Sequence, residues 1–388
     1  MKKMEQDKRI LLVANTASMI KLFNIRNINI LQRLGFKVFV AANFTTPGTI
    51  SQSENSKFKA LLRSNEIRYF NVTFQRGIGN PIANYRVFKQ LCQIIDDYGI
   101  TAIHTHAPLS SIISRRVAKE KKIKCIYTSH GFQFFPGGPL KSWLLFYPLE
   151  WYYSHWTDAL ITINSDDYRT AQKMAASRVY YIPGVGSNVN KSLSLPESTR
   201  NQLRHDKRRE LGVATNDFMI LSVGELSKRK NHATVIKAIA KLKNPHIKYY
   251  VAGIGPEKEH LIALARELGI AEQVHLLGFQ NKLRDLYLAA DLNAFISLRE
   301  GLGMGGLDGV ALGLFILASA DTGAKDYVDP QTGILIKKPL DIDEVSSAIK
   351  LVIDKGLKSH VDRDKIMRFD VSHIDNLMTK IYRRELCD

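Results

Sequence analysis

Apolar residues in this chain fall in short unbroken blocks, and between the blocks they recur every three or four positions. Blocks of that kind suit strands buried on both faces, and the intervening spacing is that of helices with one apolar side. The first block, 8–14, passes through Asn15-Thr16-Ala17-Ser18 into a helical stretch reaching about Leu34; Gly35 stops it, and a second block follows at 37–42. The same reading predicts strands at 69–73, 102–106, 124–129, 159–164 and from 180, with helices over 82–98 and 110–120. A polar, charged stretch with Pro196 then interrupts the pattern over 190–209 and reads as a linker with an entering helix. Beyond it the alternation restarts: strands at 218–223, 248–252, 274–277, 292–297 and 315–318, with helices over 232–242, up to 268, 283–290 and 304–312. Helices at 341–353 and 371–384 close the chain. Strands alternating with helices predict an α/β protein with doubly wound parallel sheets.

The length of 388 residues suits two such domains. Cys92, Cys125 and Cys387 are too few and too scattered for a disulfide framework or a zinc site, which fits a reducing cytosol. Lys2, Lys3, Lys8 and Arg9 precede an apolar run too short for a signal-peptide core, and no run approaches a membrane span. The net charge of +18 is either a solvated basic surface without function or calls for an acidic partner, and nucleic acid, anionic lipid and a polyanionic substrate compete for that place. Without zinc-finger spacing, an RNP motif or a basic zipper, nucleic acid ranks last and is not expected as a partner.

The chemistry concentrates after the block at 292–297. Glu300 sits among Gly301, Leu302, Gly303, Gly305 and Gly306, and Asp308 follows in the short helix. A loop leading into a helix presents free amides and the positive end of the dipole to phosphate, and glycines let a ligand approach the backbone. Carboxylates accept from sugar hydroxyls, so the combination suits a nucleotide sugar. The alternative is that the glycines around Asp308 only allow tight helix packing. Lys230 stands at the amino end of the helix 232–242 and adds a cation there. His130 ends the strand 124–129, where open α/β sheets bind ligands, and a neutral histidine can donate to an oxygen gaining charge. His104 and His106 end another strand; they are expected to place at most one side chain at the ligand edge and are read as structural. The segment 132–156 is dense in aromatic residues with Lys141 among them. It reads either as a core helix interrupted at Pro148 or as a surface entering the interfacial region of a bilayer.

In their order along the chain these motifs resemble the family-four glycosyltransferases, retaining enzymes of the GT-B fold that build bacterial exopolysaccharides, capsules and O-antigens. Glu300-x7-Asp308, followed by Gly313 and Ala318-Ser319, resembles the family's E-x7-E signature, and Thr128-Ser-His130-Gly resembles its Thr-x-His-Gly. Tyr180-Tyr-Ile-Pro-Gly-Val-Gly186 resembles the approach to the family's hinge, with Ser187-Asn188 in altered positions. The resemblance implies two Rossmann-like domains facing a central cleft: 1–195 on the acceptor side, 196–370 binding the donor, and 371–388 returning to the first domain. It implies catalytic roles for His130 and Glu300, with Lys230 on the donor diphosphate and Asp308 on the ribose. Glu225, Gly253, Gly301, Leu302, Gly303 and Phe279 join them in the donor pocket, the base near Phe279. The implied reaction carries a hexose or N-acetylhexosamine, as a UDP-sugar, to a lipid-linked oligosaccharide at an anionic membrane surface, on the cytoplasmic face of the plasma membrane. No cofactor and no metal ion are expected. Several residues depart from the pattern. Asp308 replaces glutamate and would leave the carboxylate roughly 1.5 Å short, Phe315 replaces proline, and Lys325 replaces arginine; Glu225, where many members carry arginine, resembles the Gly-Glu-Leu of the exopolysaccharide branch. The departures at Asp308, Phe315 and Lys325 support an alternative, a noncatalytic GT-B protein serving as a binding or scaffold component of polysaccharide assembly.

Overall fold

The computed structural model describes residues 8–75, 77 and 79–387, so that Lys2 and Lys3 lie outside the described residues. Among these residues the strands form two wholly parallel sheets. The first contains β1 (Arg9–Thr16), β2 (Lys37–Asn43), β3 (Arg68–Asn71), β4 (Ala102–His106), β5 (Lys124–Ser129), β6 (Ala159–Thr162) and β7 (Arg178–Tyr181), in the order β3-β2-β1-β4-β5-β6-β7. The second contains β8 (Phe218–Val223), β9 (Ile247–Ala252), β10 (Val274–Gly278), β11 (Leu292–Phe295), β12 (Ile316–Ser319) and β13 (Gly333–Ile336), in the order β10-β9-β8-β11-β12-β13. In each sheet the strand order reverses beside its first strand, between β1 and β4 and between β8 and β11. Crevices for ligands open at the carboxyl ends of strands at such points.

The chain divides into two compact units, residues 1–185 with 372–388, and residues 186–371. In the first, Leu11, Phe39, Ile103 and Cys125 meet Leu91, Ile95 and Val117 of the covering helices. The closing helix Val371–Leu386 joins this unit through Tyr382, bonded to His104, and Glu385, paired with Arg178. In the second, Ile220, Val251, Leu292 and Leu317 pack against Val235, Ile239, Val345 and Ile349. Phe315 fills this core in place of the proline of the resemblance. The helix Glu197–Glu210 belongs to the second unit, where Arg204 and Arg208 share the Asp291 carboxylate and donate to the carbonyl of Ala289.

Several elements differ from expectation. The helix predicted from residue 17 to about 34 is two helices, Ala17–Phe23 and Ile25–Arg33, divided at buried Asn24, whose Nδ2 donates to the Met19 carbonyl at 3.2 Å. The helix Gln52–Ser64 and the strand β13 were not anticipated. The helix announces itself by a capping box in which Ser51 and Glu54 satisfy each other's backbone N–H groups. Asp341 and Asp362 cap helices.

Pro148 does not interrupt its helix, which runs unbroken from Leu140 to Ser154. The proline is exposed, so water can take the carbonyl its missing N–H leaves free. Leu140, Leu144, Leu145, Pro148, Trp151 and Tyr152 are exposed together with Lys141 and His155, and at helical spacing they fill one arc of roughly 140°. The opposite side carries Glu150, the helix's one carboxylate, turned inward to Arg115 at 2.7 Å. Arg115 is fully buried, lies 4.6 Å from the Tyr127 ring centroid, and donates to the Ser111 carbonyl and hydroxyl.

Candidate active site

β8 and β11 stand side by side where the second sheet reverses its order, and the loops leaving their carboxyl ends meet. After β8 a 3-10 turn, Lys228–Lys230, ends at Asn231, whose φ of 60° is a left-handed conformation that asparagine tolerates. The Asn231 Nδ2 donates to the Ile296 carbonyl at 3.2 Å and the Pro339 carbonyl at 2.7 Å, tying the turn to the loop after β11. Lys230 is thereby aimed across Gly224. A Cβ on Gly224 would come within 2.8 Å of the lysine's Cε, so the glycine makes room for the stem. The Lys230 Nζ reaches Glu300 Oε1 at 2.5 Å and lies 4.7 Å from the Phe295 ring centroid. The Arg229 guanidinium reaches the same oxygen at 2.7 Å and the Arg299 carbonyl at 3.0 Å.

Only 11% of the Glu300 side chain and 13% of the Lys230 side chain are exposed. Burial works against the charge on Glu300, but the Lys230 ammonium and the Arg229 guanidinium outweigh it and hold the carboxyl below its usual range. Burial draws the Lys230 ammonium below the ordinary lysine range, with Glu300 working in the opposite direction. The site is a shielded carboxylate held between two cations, and either cation can turn to a different anion.

The loops after β8, β9 and β10 adjoin backbone to backbone. A Cβ on Gly253 would lie 1.7 Å from the Gly224 carbonyl oxygen, and the Gly253 N–H donates to the Gly278 carbonyl at 2.8 Å. Phe279 follows this seam with 56% of its surface exposed, and the Glu225 carboxylate stands 4.0 Å from Arg229. On the other flank Gly323 begins the turn that carries Lys325, and a Cβ there would fall 1.8 Å from the carbonyl oxygen of Gly301.

The helix Met304–Ala311 corrects one expectation about its glycines. A Cβ on Gly303 would come within 2.6 Å of the Phe295 ring, on Gly305 within 3.0 Å of the Val223 carbonyl oxygen, and on Gly306 within 2.2 Å of Tyr327 Oη. Protein, not ligand, occupies the space these glycines open. Tyr327 and Tyr287 complete the contact by donating to the carbonyls of Gly303 and Gly305, at 3.0 and 2.7 Å. Leu302 is buried beside them. Asp308 Oδ1 accepts from the Ser187 hydroxyl at 2.5 Å, and burial raises its pKa against the effect of that bond. Ser187 is itself fixed by backbone bonds to Phe369 and Val371, each 2.9 Å. The shortened carboxylate of the signature and the altered residue of the hinge are therefore partners.

In the first unit His130 follows β5, beside the end of β4. His104 and His106 were expected to contribute at most one side chain there. Residues two apart share a strand face, and the two rings lie 4.1 Å apart. His104 is bonded at both nitrogens, to Tyr382 Oη at 2.7 Å and Thr128 Oγ1 at 2.8 Å. His106 Nδ1 lies 3.1 Å from His130 Nε2. Burial depresses the basicity of all three, His104 to about 3, His130 to about 4 and His106 well below the usual value, so all are neutral at physiological pH. Next to them is a cavity of about 20 Å³, touched by His106, His130, Thr128 and Arg26. Sequence reasoning had missed Arg229, Ser187 and His106; parity along β4 would have found the last.

Two family descriptions divide the chain between them: Glycosyltransferase Family 4 matches residues 28–184, and Glycosyl transferases group 1 matches residues 204–366. EpsD of Bacillus subtilis (strain 168), whose name describes it as a glycosyltransferase, is 31% identical over 338 residues, covering 85% of this chain and 84% of that protein. The O-antigen biosynthesis glycosyltransferase WbnH of Escherichia coli is 27% identical over 256 residues, covering 66% and 68%. Among solved structures, Anabaena HepE in complex with UDP superposes with a TM-score of 0.74 at 18% identity, covering 97% of this chain and all of that one. The fold is GT-B, and the chain belongs to the family-four glycosyltransferases.

Proposed function

We propose that this protein transfers a hexose or N-acetylhexosamine from a UDP-sugar to a lipid-linked glycan in bacterial surface polysaccharide synthesis, with retention at the anomeric carbon and without a metal ion. The observation that carries the reading is the shielded Lys230–Glu300 pair at the strand-order reversal, with Arg229 on the same oxygen. A donor diphosphate draws the two cations away from Glu300, and the freed carboxylate accepts from hydroxyls of the sugar. Lys230, Arg229 and the amides of Gly301, Leu302 and Gly303 offset the charge on the leaving diphosphate, the work a metal ion does elsewhere. Glu225, Gly253 and Phe279 border the nucleotide, Asp308 lies toward the ribose, and by resemblance His130 donates to the donor. The names of relatives agree with a lipid-linked acceptor: one Escherichia coli relative, 23% identical, is an alpha-1,3-galactosyltransferase acting on alpha-D-GlcNAc-diphosphoundecaprenol.

The test is transfer from a panel of UDP-, GDP- and ADP-sugars to a polyprenyl-diphosphate glycan in the presence of EDTA, with the new linkage read by NMR. Transfer from one nucleotide class with the donor's anomeric configuration supports the reading. Nucleotide binding without transfer from any donor sinks it in favour of the scaffold alternative.

The protein would work at the cytoplasmic face of the plasma membrane, docked through the exposed arc of the helix Leu140–Ser154. That arc joins leucines to Trp151 and Tyr152, holds Lys141 and no carboxylate, and adjoins Lys119, whose Nζ lies 4.0 Å from the Trp156 ring centroid. The native protein is expected to co-sediment with vesicles containing phosphatidylglycerol, and the L144E/W151E variant to remain in the supernatant with an unchanged melting temperature. A native chain that stays in solution, or dimerises through this arc, refutes the docking.

A further inference from the structure

His106 at the end of β4 and His130 just after β5 present a proton-counting problem. His106 Nδ1 and His130 Nε2 are 3.1 Å apart, so one nitrogen carries the hydrogen and the other accepts it. Among the described residues, the remaining nitrogen of His106, Nε2, is closed to solvent and has no hydrogen-bond partner. If the His106 proton sat there, a buried N–H would be orphaned, the rarer and costlier defect; an orphaned acceptor is better tolerated. The proton therefore belongs on Nδ1, pointing at His130. His106 cannot turn away easily. Its ring lies against that of His104 at a tilt of 44°, His104 is pinned at both nitrogens, and the His106 carbonyl is held by the Ser110 hydroxyl at 2.5 Å.

We infer that His106 is a positioning residue which donates from Nδ1 to His130 Nε2 and so fixes His130 in the tautomer that carries its proton on Nδ1. Among the described residues, no other group is hydrogen-bonded to His130. Nδ1 is thus left as the nitrogen that can donate, and Nε2 is removed from the chemistry. Protonating His130 would set a second N–H against that of His106, so the imidazole acts as a neutral donor, not as an acid or a cation. This deepens the proposed function and rests on it only where it concerns transfer; the tautomer itself does not.

The deciding measurement is a long-range proton–nitrogen correlation spectrum of protein labelled with nitrogen-15 at histidine, with the His130 signals identified by their loss in H130Q. The expected His130 pattern is a protonated Nδ1 and an unprotonated, hydrogen-bonded Nε2. In H106N the amide nitrogen takes the place of Nδ1 and the pattern is retained. In H106L the donor is gone, and the His130 proton moves to Nε2, the tautomer that free histidine prefers. A native spectrum with the proton on Nε2 of His130 overturns the inference, even if H106L does not fold. So does an unchanged His130 pattern in folded H106L. Transfer assayed in the same proteins is expected to fall at least about 10-fold in H106L and to be retained in H106N. Nucleotide binding is expected to be unaffected in both. Switched His130 signals with undiminished transfer would overturn the role in the reaction and leave the tautomer in place.

Discussion

Glu300→Gln is expected to bind nucleoside diphosphate at least as tightly as the native protein and to transfer sugar at least about 100-fold more slowly. In the free protein Lys230 and Arg229 both point at Glu300 Oε1, so an incoming diphosphate has to compete with a carboxylate for them. The amide keeps the shape and removes the competitor. It also removes the charged acceptor for the sugar hydroxyls, and only the transfer step suffers. Lys230→Ala should behave in the opposite sense. A hydrogen bond to a charged group contributes about 1.5–3 kcal/mol, so diphosphate affinity should drop by roughly 10- to 100-fold. Titration calorimetry with UDP beside initial rates separates the two effects. If both variants lose nucleotide binding alike, Glu300 is a brace for the loop and not a group that handles the sugar.

The second large effect concerns stability. Glu150→Ala is expected to destabilise the first unit by about 3–5 kcal/mol. Among the described residues, Arg115 is fully buried, its NH1 lacks a partner, and Glu150 supplies the one carboxylate it touches. Removing the acid strands a guanidinium with Ser111 and two aromatic faces for company. Replacing both partners, as in R115M/E150L, should recover most of that loss, because apolar groups of similar volume need no counterion. Urea denaturation of the single and double variants checks it. A single variant within about 1 kcal/mol of the native protein would mean that water reaches Arg115.

Much of this architecture is legible in the residues because both sheets are buried on two faces, and solid apolar blocks are hard to mistake. The locations of Lys230, Glu300 and His130 follow from the same rule, since each ends or follows a strand. What stays hidden depends on side-chain partners distant in sequence. Glycine in a loop reads the same whether it admits a ligand or a tyrosine, and at Gly306 the occupant is Tyr327. Asp308 looks like a shortened glutamate until Ser187 is placed against it. Arg229 looks like one more charge in a solvated run until the left-handed residue after it turns the strand end back toward Glu300. The helix Gln52–Ser64 was different, for Ser51 and Glu54 spell its start in the sequence itself.

The helix Leu140–Ser154 has an optical consequence. The chain's three tryptophans are Trp143, Trp151 and Trp156, two on this helix and the third just past its end. Tryptophan emission from the whole protein is therefore a local signal from one edge of the first unit, silent about the second. Circular dichroism averages over the helices of both. When the two signals are followed through the same denaturation, coincident midpoints mean that the units melt as one cooperative body, and separated midpoints give the order in which they come apart.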